Sequence, residues 1–170
     1  KQGIPTIGIP CTIDNDIGCC EYTIGYDTAT NTVVDLVDKL RDTCSSHDRC
    51  SVVEVMGRDA GDIALQTGIS VGATTAIVPE IPCHVEALIA KIKQSRALGK
   101  RNFIIVVAEG MGNDFSENLT HRIQEETGIE SRFARLAHVI RGGIPSLRDR
   151  LLATRMGEFA AVELLQGRSN

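Results

Sequence analysis

Short apolar runs alternate with amphipathic stretches along this chain. Thr6–Ile9 reads as a strand inside the apolar run Ile4 to Pro10. Thr28–Arg41 reads as a helix, with Val33, Val34, Leu36, Val37 and Leu40 near one side. Ser51–Met56 is β-rich, Gly61–Ile69 is helical, and Thr75–Val78 is a short buried strand. Val85, Leu88, Ile89 and Ile92 fall at i, i+3, i+4 and i+7, one face of a helix, and Gly99 follows as a C′ stop. Phe103–Ala108 is a continuous apolar run, as in a strand buried on both faces. Leu119–Thr127 reads as a helix ending at Gly128, and Phe133–Ile140 as a strand. Pro145–Leu165 is a long helix with Leu152, Met156 and Phe159 along its buried side. Strands separated by helices predict βα units and an α/β fold, a mostly parallel sheet flanked by helices. There is no internal repeat and no low-complexity segment.

In such folds ligands sit beyond the C-terminal ends of the strands. The first strand is followed by Thr12-Ile13-Asp14-Asn15-Asp16, a hydroxyl and two carboxylates in one short loop. That group can take a proton from an alcohol and steady a transferring phosphoryl group. It is equally an Asx-turn with capping aspartates. The later strands are followed by Met56-Gly57-Arg58, Glu109-Gly110 and Arg141-Gly142-Gly143. Each has a plainer use. Arg58 can pair with Asp62, Gly57 can shape a turn, and Glu109 can cap a helix. His138 can be a core histidine, and Arg49 a solvated charge. Four strand ends bearing such groups favour a ligand site over loops built only for solubility. Arg132 and His138, six residues apart on the expected strand, would lie about 20 Å apart. One sugar phosphate cannot span that distance, so if both bind the same class of ligand, one must serve a site completed by a neighbouring subunit.

The bulk properties narrow the classes. With 170 residues the chain can build a full core. A net charge of −4 argues against nucleic acid as the main partner but leaves room for phosphorylated ligands held by a local arginine cluster. No apolar run approaches the ~20 residues of a membrane span, and no secretory signal is expected. Six cysteines without a C-x-x-C pair fit neither a zinc site nor a secreted disulfide scaffold. Reduced cysteines in a cytoplasmic protein are expected. The chain begins at Lys1, close to its first strand, and is read as an internal piece of a longer protein.

Taken in order, these motifs resemble 6-phosphofructokinase of the bacterial, ATP-dependent type. The resemblance rests on Gly8-Ile9-Pro10, Thr12 to Asp16, Thr23 to Ala29, Arg41-Asp42-Thr43 and Ser46 to Arg49. It continues through Glu54 to Arg58, Gly61-Asp62, Ala108-Glu109-Gly110, Gln124 to Gly128 and His138 to Gly143. It implies a phosphofructokinase-like three-layer fold and phosphoryl transfer to the 1-hydroxyl of fructose 6-phosphate, a step of glycolysis. Asp14 would be the base, Thr12 and Asp16 would complete the pocket, and Arg58 would stabilise the moving phosphoryl group. Ile13 would line the same loop. Met56, Gly57 and Glu109 would hold the sugar, and His138 and Arg141 its 6-phosphate. Arg49 and Arg132 would reach into the adjacent subunit's site, in a homotetramer. An effector site would involve Arg41, Gly72, Thr74 and Lys100. Thr74 stands where the family has an acidic residue and Leu98 where it has a basic one, so nucleotide regulation would be lost or altered.

The same resemblance implies three parts. Residues 1–25 would come from a nucleotide-binding lobe, residues 26–140 would bind fructose 6-phosphate, and residues 141–170 would return toward that lobe. The chain matches the middle half of a family member. The main magnesium ligand and most of the ATP site would lie in the N-terminal lobe, and the piece alone would be inactive and prone to associate. Cys11 stands where ATP users carry Gly and pyrophosphate users carry Lys, which favours ATP. The alternatives are a pyrophosphate-dependent enzyme and a non-catalytic sugar-phosphate module.

Overall fold

The computed structural model describes residues 3–169. Two short strands, β1 (Cys11–Thr12) and β2 (Ile24–Gly25), pair in parallel. Helix α1 (Tyr26–His47) follows directly. Then come β3 (Cys50–Val55), α2 (Asp62–Ser70), β4 (Thr75–Ile77) and α3 (Val85–Ala97). β5 (Phe103–Ala108), α4 (Phe115–Thr127), β6 (Ser131–Arg135) and α5 (Leu147–Leu165) complete the chain. Two 3-10 turns, Glu109–Met111 and Ala137–Arg141, follow β5 and β6.

The main sheet is parallel throughout, in the order β4-β5-β3-β6. Side chains of a strand alternate between faces, and both faces are covered. On one face Val53, Val55, Ile104, Val106 and Ala108 pack with Val33 and Val37 of α1 and Ile63 and Ala64 of α2. On the other, Cys50, Val52, Phe103, Ile105 and Val107 pack with Ile89 and Ile92 of α3 and Leu119 and Ile123 of α4. This is the expected three-layer α/β arrangement. Burial pushes the Cys50 thiol up to about 12, so it stays neutral at ordinary pH. The crossover from β3 to β4 runs one way along the sheet through α2. Those through α3 and α4 run the other way over the opposite face. A single crossover hand requires this.

Three sequence expectations need correcting. Thr6–Ile9 is not a strand. Residues 3–10 have no regular structure, and pairing begins only at Cys11, opposite Ile24. Pro5 and Pro10 flank that stretch without donors. The strand expected over Phe133–Ile140 is instead β6 followed by a 3-10 turn: the last pair is Glu54 with Arg135, one residue short of the end of β3, and Ala137 then turns the backbone at φ +45°. The long helix α5 buries Asp149 and Ala160. Leu152 and Met156 are half-buried, and Phe159 is 67% exposed.

Asp149 explains how α5 docks. Its carboxylate accepts from the backbone N–H of Gly25 at 2.9 Å and of Thr28 at 2.8 Å, and from the Thr28 hydroxyl. It caps α1, whose own N-cap residue is a glycine and whose first N–H groups favour negative charge.

Ile105→Ala should lower unfolding free energy by about 2–5 kcal/mol, since a buried methyl cluster leaves a cavity. Phe159→Ala should stay within about 0.5 kcal/mol. Urea titration of this chain measures both, and a large loss at Phe159 would contradict the exposed placement.

Candidate functional site

β3 and β5 are neighbours whose outgoing connections leave over opposite faces of the sheet. That is a topological switch point, where a crevice opens beyond the strand ends. Met56-Gly57-Arg58 leaves β3 there and Glu109 leaves β5. The Glu109 carboxylate accepts from the N–H of Gly57 at 3.2 Å and of Arg58 at 2.9 Å. Gly57 has φ +144°, and a Cβ there would lie 2.5 Å from the Ala60 carbonyl oxygen. Arg58 has φ +55°, a region side chains rarely occupy. Strain of this kind recurs at functional sites. Met56 packs against the α1–α2 side of the core.

The loop after β1 meets this turn. Arg58 lies 3.6 Å from an Asp14 carboxylate oxygen and 3.7 Å from one of Asp16. The alternative partner Asp62 is not used. Asp14 is only 7% exposed. The Thr12 hydroxyl donates to Asp14 at 3.3 Å and accepts from its backbone N–H at 3.2 Å. The Thr23 hydroxyl donates to the Thr12 carbonyl at 2.7 Å. Thr23 also donates its N–H to the Asn15 side chain at 3.0 Å, closing the loop. Thr12, Asp14, Asp16 and Arg58 thus form one contact group, and Gly57, Arg58 and Glu109 a second that shares Arg58.

The remaining expected residues fall into separate places. Ile13 and Arg141 line one cavity of about 380 Å³ with Gly25 and Asp149. The segment 141–143 lies on α1, with the Thr32 hydroxyl donating to the Gly142 carbonyl at 3.2 Å. His138 is exposed on the same 3-10 turn as Arg141, which Ile140 anchors in the core. Arg49 and Arg132 stand at the opposite end of the sheet, at the starts of β3 and β6. Both grip Glu130, at 2.9 Å and 2.5 Å. These contacts, Arg49 first, hold the Glu130 carboxyl below its usual value. With β6 shortened, Arg132 and His138 are separated by about 15 Å of strand and 3-10 turn.

Around residues 71–74, Arg41 donates to the Val71 carbonyl and Gly72 has φ +59°. Lys100 reaches the Thr74 hydroxyl at 3.3 Å, and Lys91 the Thr74 carbonyl at 2.8 Å. Asp149 was not among the expected residues. Ser146-Leu147-Arg148-Asp149 marks only the start of α5, where the Ser146 hydroxyl accepts from the Asp149 N–H at 3.2 Å; nothing in the sequence signals the grip of its carboxylate on α1. Among the described residues no group of three or more His, Cys, Asp or Glu is arranged to hold a metal ion. Arg58 offsets one of the two charges of the Asp14–Asp16 pair.

These features define a parallel α/β protein with an acid–arginine cluster at the switch-point crevice of its sheet. Residues 1–165 match the family model described as Phosphofructokinase. The chain belongs to the phosphofructokinase family. It is 52% identical over 170 residues to the ATP-dependent 6-phosphofructokinase of Clostridium novyi, all of this chain and 53% of that protein. It is 48% identical over 168 residues to that of Bacillus subtilis, 99% of this chain and 52% of the relative. The chain thus spans about half the length of the curated relatives it matches. A phosphofructokinase structure from Saccharomyces cerevisiae superposes with TM-score 0.90 at 33% identity, covering 95% of this chain and 22% of that one. A pyrophosphate-dependent phosphofructokinase from Marinobacter aquaeolei shares the fold, with TM-score 0.82 at 24% identity over 98% of this chain and 46% of its own.

Gly57→Ala should cost about 1–3 kcal/mol through backbone strain, whereas Arg58→Ala, an exposed side chain, should stay within about 0.5 kcal/mol. Thermal melts of both variants compare them. Equal losses would mean that Gly57 is not needed for the turn.

Proposed function

We propose that this chain is the sugar-phosphate half of an ATP-dependent 6-phosphofructokinase, a glycolytic kinase. Its reaction is transfer of the γ-phosphoryl group of ATP to the 1-hydroxyl of fructose 6-phosphate. The observation that carries the reading is the Asp14–Arg58 contact at 3.6 Å, with Thr12 beside it. A nearly buried carboxylate within reach of an alcohol can accept its proton as the new bond forms. A guanidinium at the same point stabilises charge on the transferring group. Asp16 holds that guanidinium from the other side. Asp14 must release Arg58 partly to face substrate, and a 3.6 Å contact is loose enough to permit this.

Glu109, fixed by the Gly57 and Arg58 amides, supports the sugar-binding turn with Met56. His138 and Arg141, both exposed, take the 6-phosphate by charge-assisted hydrogen bonds. Arg49 and Arg132 serve the equivalent site of a neighbouring copy, since they stand at the far end of the sheet. A homotetramer, with residues 1–25 and 141–170 contacting a nucleotide-binding lobe, fits this division around residues 26–140. Magnesium would accompany the ATP phosphates. Among the described residues no group of three or more His, Cys, Asp or Glu is arranged to hold it. Cys11, small and uncharged, supports ATP as donor. Thr74, held by Lys91 and Lys100, supports an altered effector response. Unpaired cysteines fit a cytoplasmic setting.

In the intact parent protein, Asp14→Ser should lower kcat by about 10²–10⁴-fold while KM for fructose 6-phosphate moves only a few-fold. A coupled assay with ATP and magnesium reads both. Unchanged kcat would remove Asp14 as the base, and turnover with pyrophosphate in place of ATP would overturn the donor.

A further inference from the structure

Cys19 and Cys20 are adjacent, and neither belongs to the site described above. Cys19 is exposed, Cys20 is half-buried, and both are free thiols. Their sulfur atoms lie 3.8 Å apart, so both side chains already point to the same side of the chain. They sit on a tight turn, closed by the Cys20 N–H donating to the Ile17 carbonyl at 3.0 Å. This turn is the tip of the loop that begins at Asp14 and returns at Thr23. Asn15 spans its base, donating to the Glu21 carbonyl at 3.4 Å and accepting from the Thr23 N–H at 3.0 Å.

We infer that Cys19–Cys20 is a modification site, a vicinal dithiol that two-electron oxidants such as hydrogen peroxide convert reversibly to an intrachain disulfide. The exposed Cys19 thiolate attacks peroxide, breaking the O–O bond, and becomes a sulfenic acid as hydroxide leaves with a proton as water. The Cys20 sulfur then attacks Cys19, the S–O bond breaks, and a second water departs. The two thiols lose two electrons and two protons, and peroxide is reduced to two waters. Burial, and after it the Cys19 sulfur, hold the Cys20 thiol above its usual value, which suits it to the second step rather than the first.

Neighbouring Cα atoms are about 3.8 Å apart, closer than in most disulfides. Closing the ring therefore strains the peptide between the two cysteines. A strained, exposed disulfide is easily reduced again. The Cys20 N–H cannot keep its bond to Ile17 unchanged, so oxidation alters the tip of the loop whose base holds Asp14 and Asp16. The chemistry stands whether or not the phosphoryl-transfer reading does.

The test treats the whole 170-residue chain with hydrogen peroxide and follows intact mass, thiol count and amide exchange. The expected result is loss of two hydrogens and of both thiols, restored by dithiothreitol, with peptide mapping placing the link between Cys19 and Cys20. Amide exchange over residues 17–23 should change several-fold on oxidation and revert on reduction. Cys11→Ser should behave like the parent. Cys19→Ser and Cys20→Ser should each lose the reversible step. A link to Cys11 or between chains, or the same reversible loss in Cys20→Ser, would overturn the proposal. So would oxidation of Cys19 that stops at irreversible acids.

Discussion

The parallel pairing of β3 with β5 is the constraint on which the rest of the structure depends. Six consecutive residue pairs lock these two strands from Cys50–Phe103 to Val55–Ala108. Both are buried along their whole length. A slip of one residue would exchange every side chain between the two faces, moving the contacts of α1 and α2 onto those of α3 and α4. The fixed register ends both strands at the same level. Glu109 therefore arrives beside the Gly57 and Arg58 amides.

That register also separates charge along the strands. Arg58, Glu109 and the Asp14 loop collect at the C-terminal ends, while Arg49, Glu130 and Arg132 collect at the N-terminal ends. The two central strands are buried on both faces, so the charged groups beside them collect mostly at their ends. The Asp14 loop reaches the crevice through a second, two-stranded pairing. Asp149 holds that pairing by binding Gly25, the residue opposite Thr12. A single buried carboxylate thus links α5, the start of α1 and the strand before Asp14.

Much of this was legible in the sequence. The run Phe103–Ala108 carries apolar residues for both faces, and the structure uses every one as a buried strand. The helix over 85–97 followed from its i, i+3, i+4 pattern and its Gly99 stop. Strand limits were less legible because apolar spacing does not show where the backbone turns. β6 stops one pair short of the end of β3, and Ala137 then turns the chain at φ +45°, although Val139 and Ile140 look β-forming. The exposed side of α5 was misread on its spacing too. Apolar spacing predicts a face but not what covers it, and Phe159 meets little of the described chain. Of the site, the residue types at the strand ends were readable. The Arg58 pairing was not, since Asp14, Asp16 and Asp62 were all available partners and only the fold brings two of them near.

We propose that the two charged ends of the sheet belong to different substrate sites, each completed by a neighbouring copy. Subunit complementation in the intact parent protein tests it most directly. Asp14→Ser and Arg132→Ser subunits, each nearly inactive alone, would be unfolded together, reassembled and assayed. Sites that draw Asp14 from one copy and Arg132 from another predict activity well above the sum of the two variants. Mixtures no more active than that sum would place both residues in one site within a single chain and contradict the account.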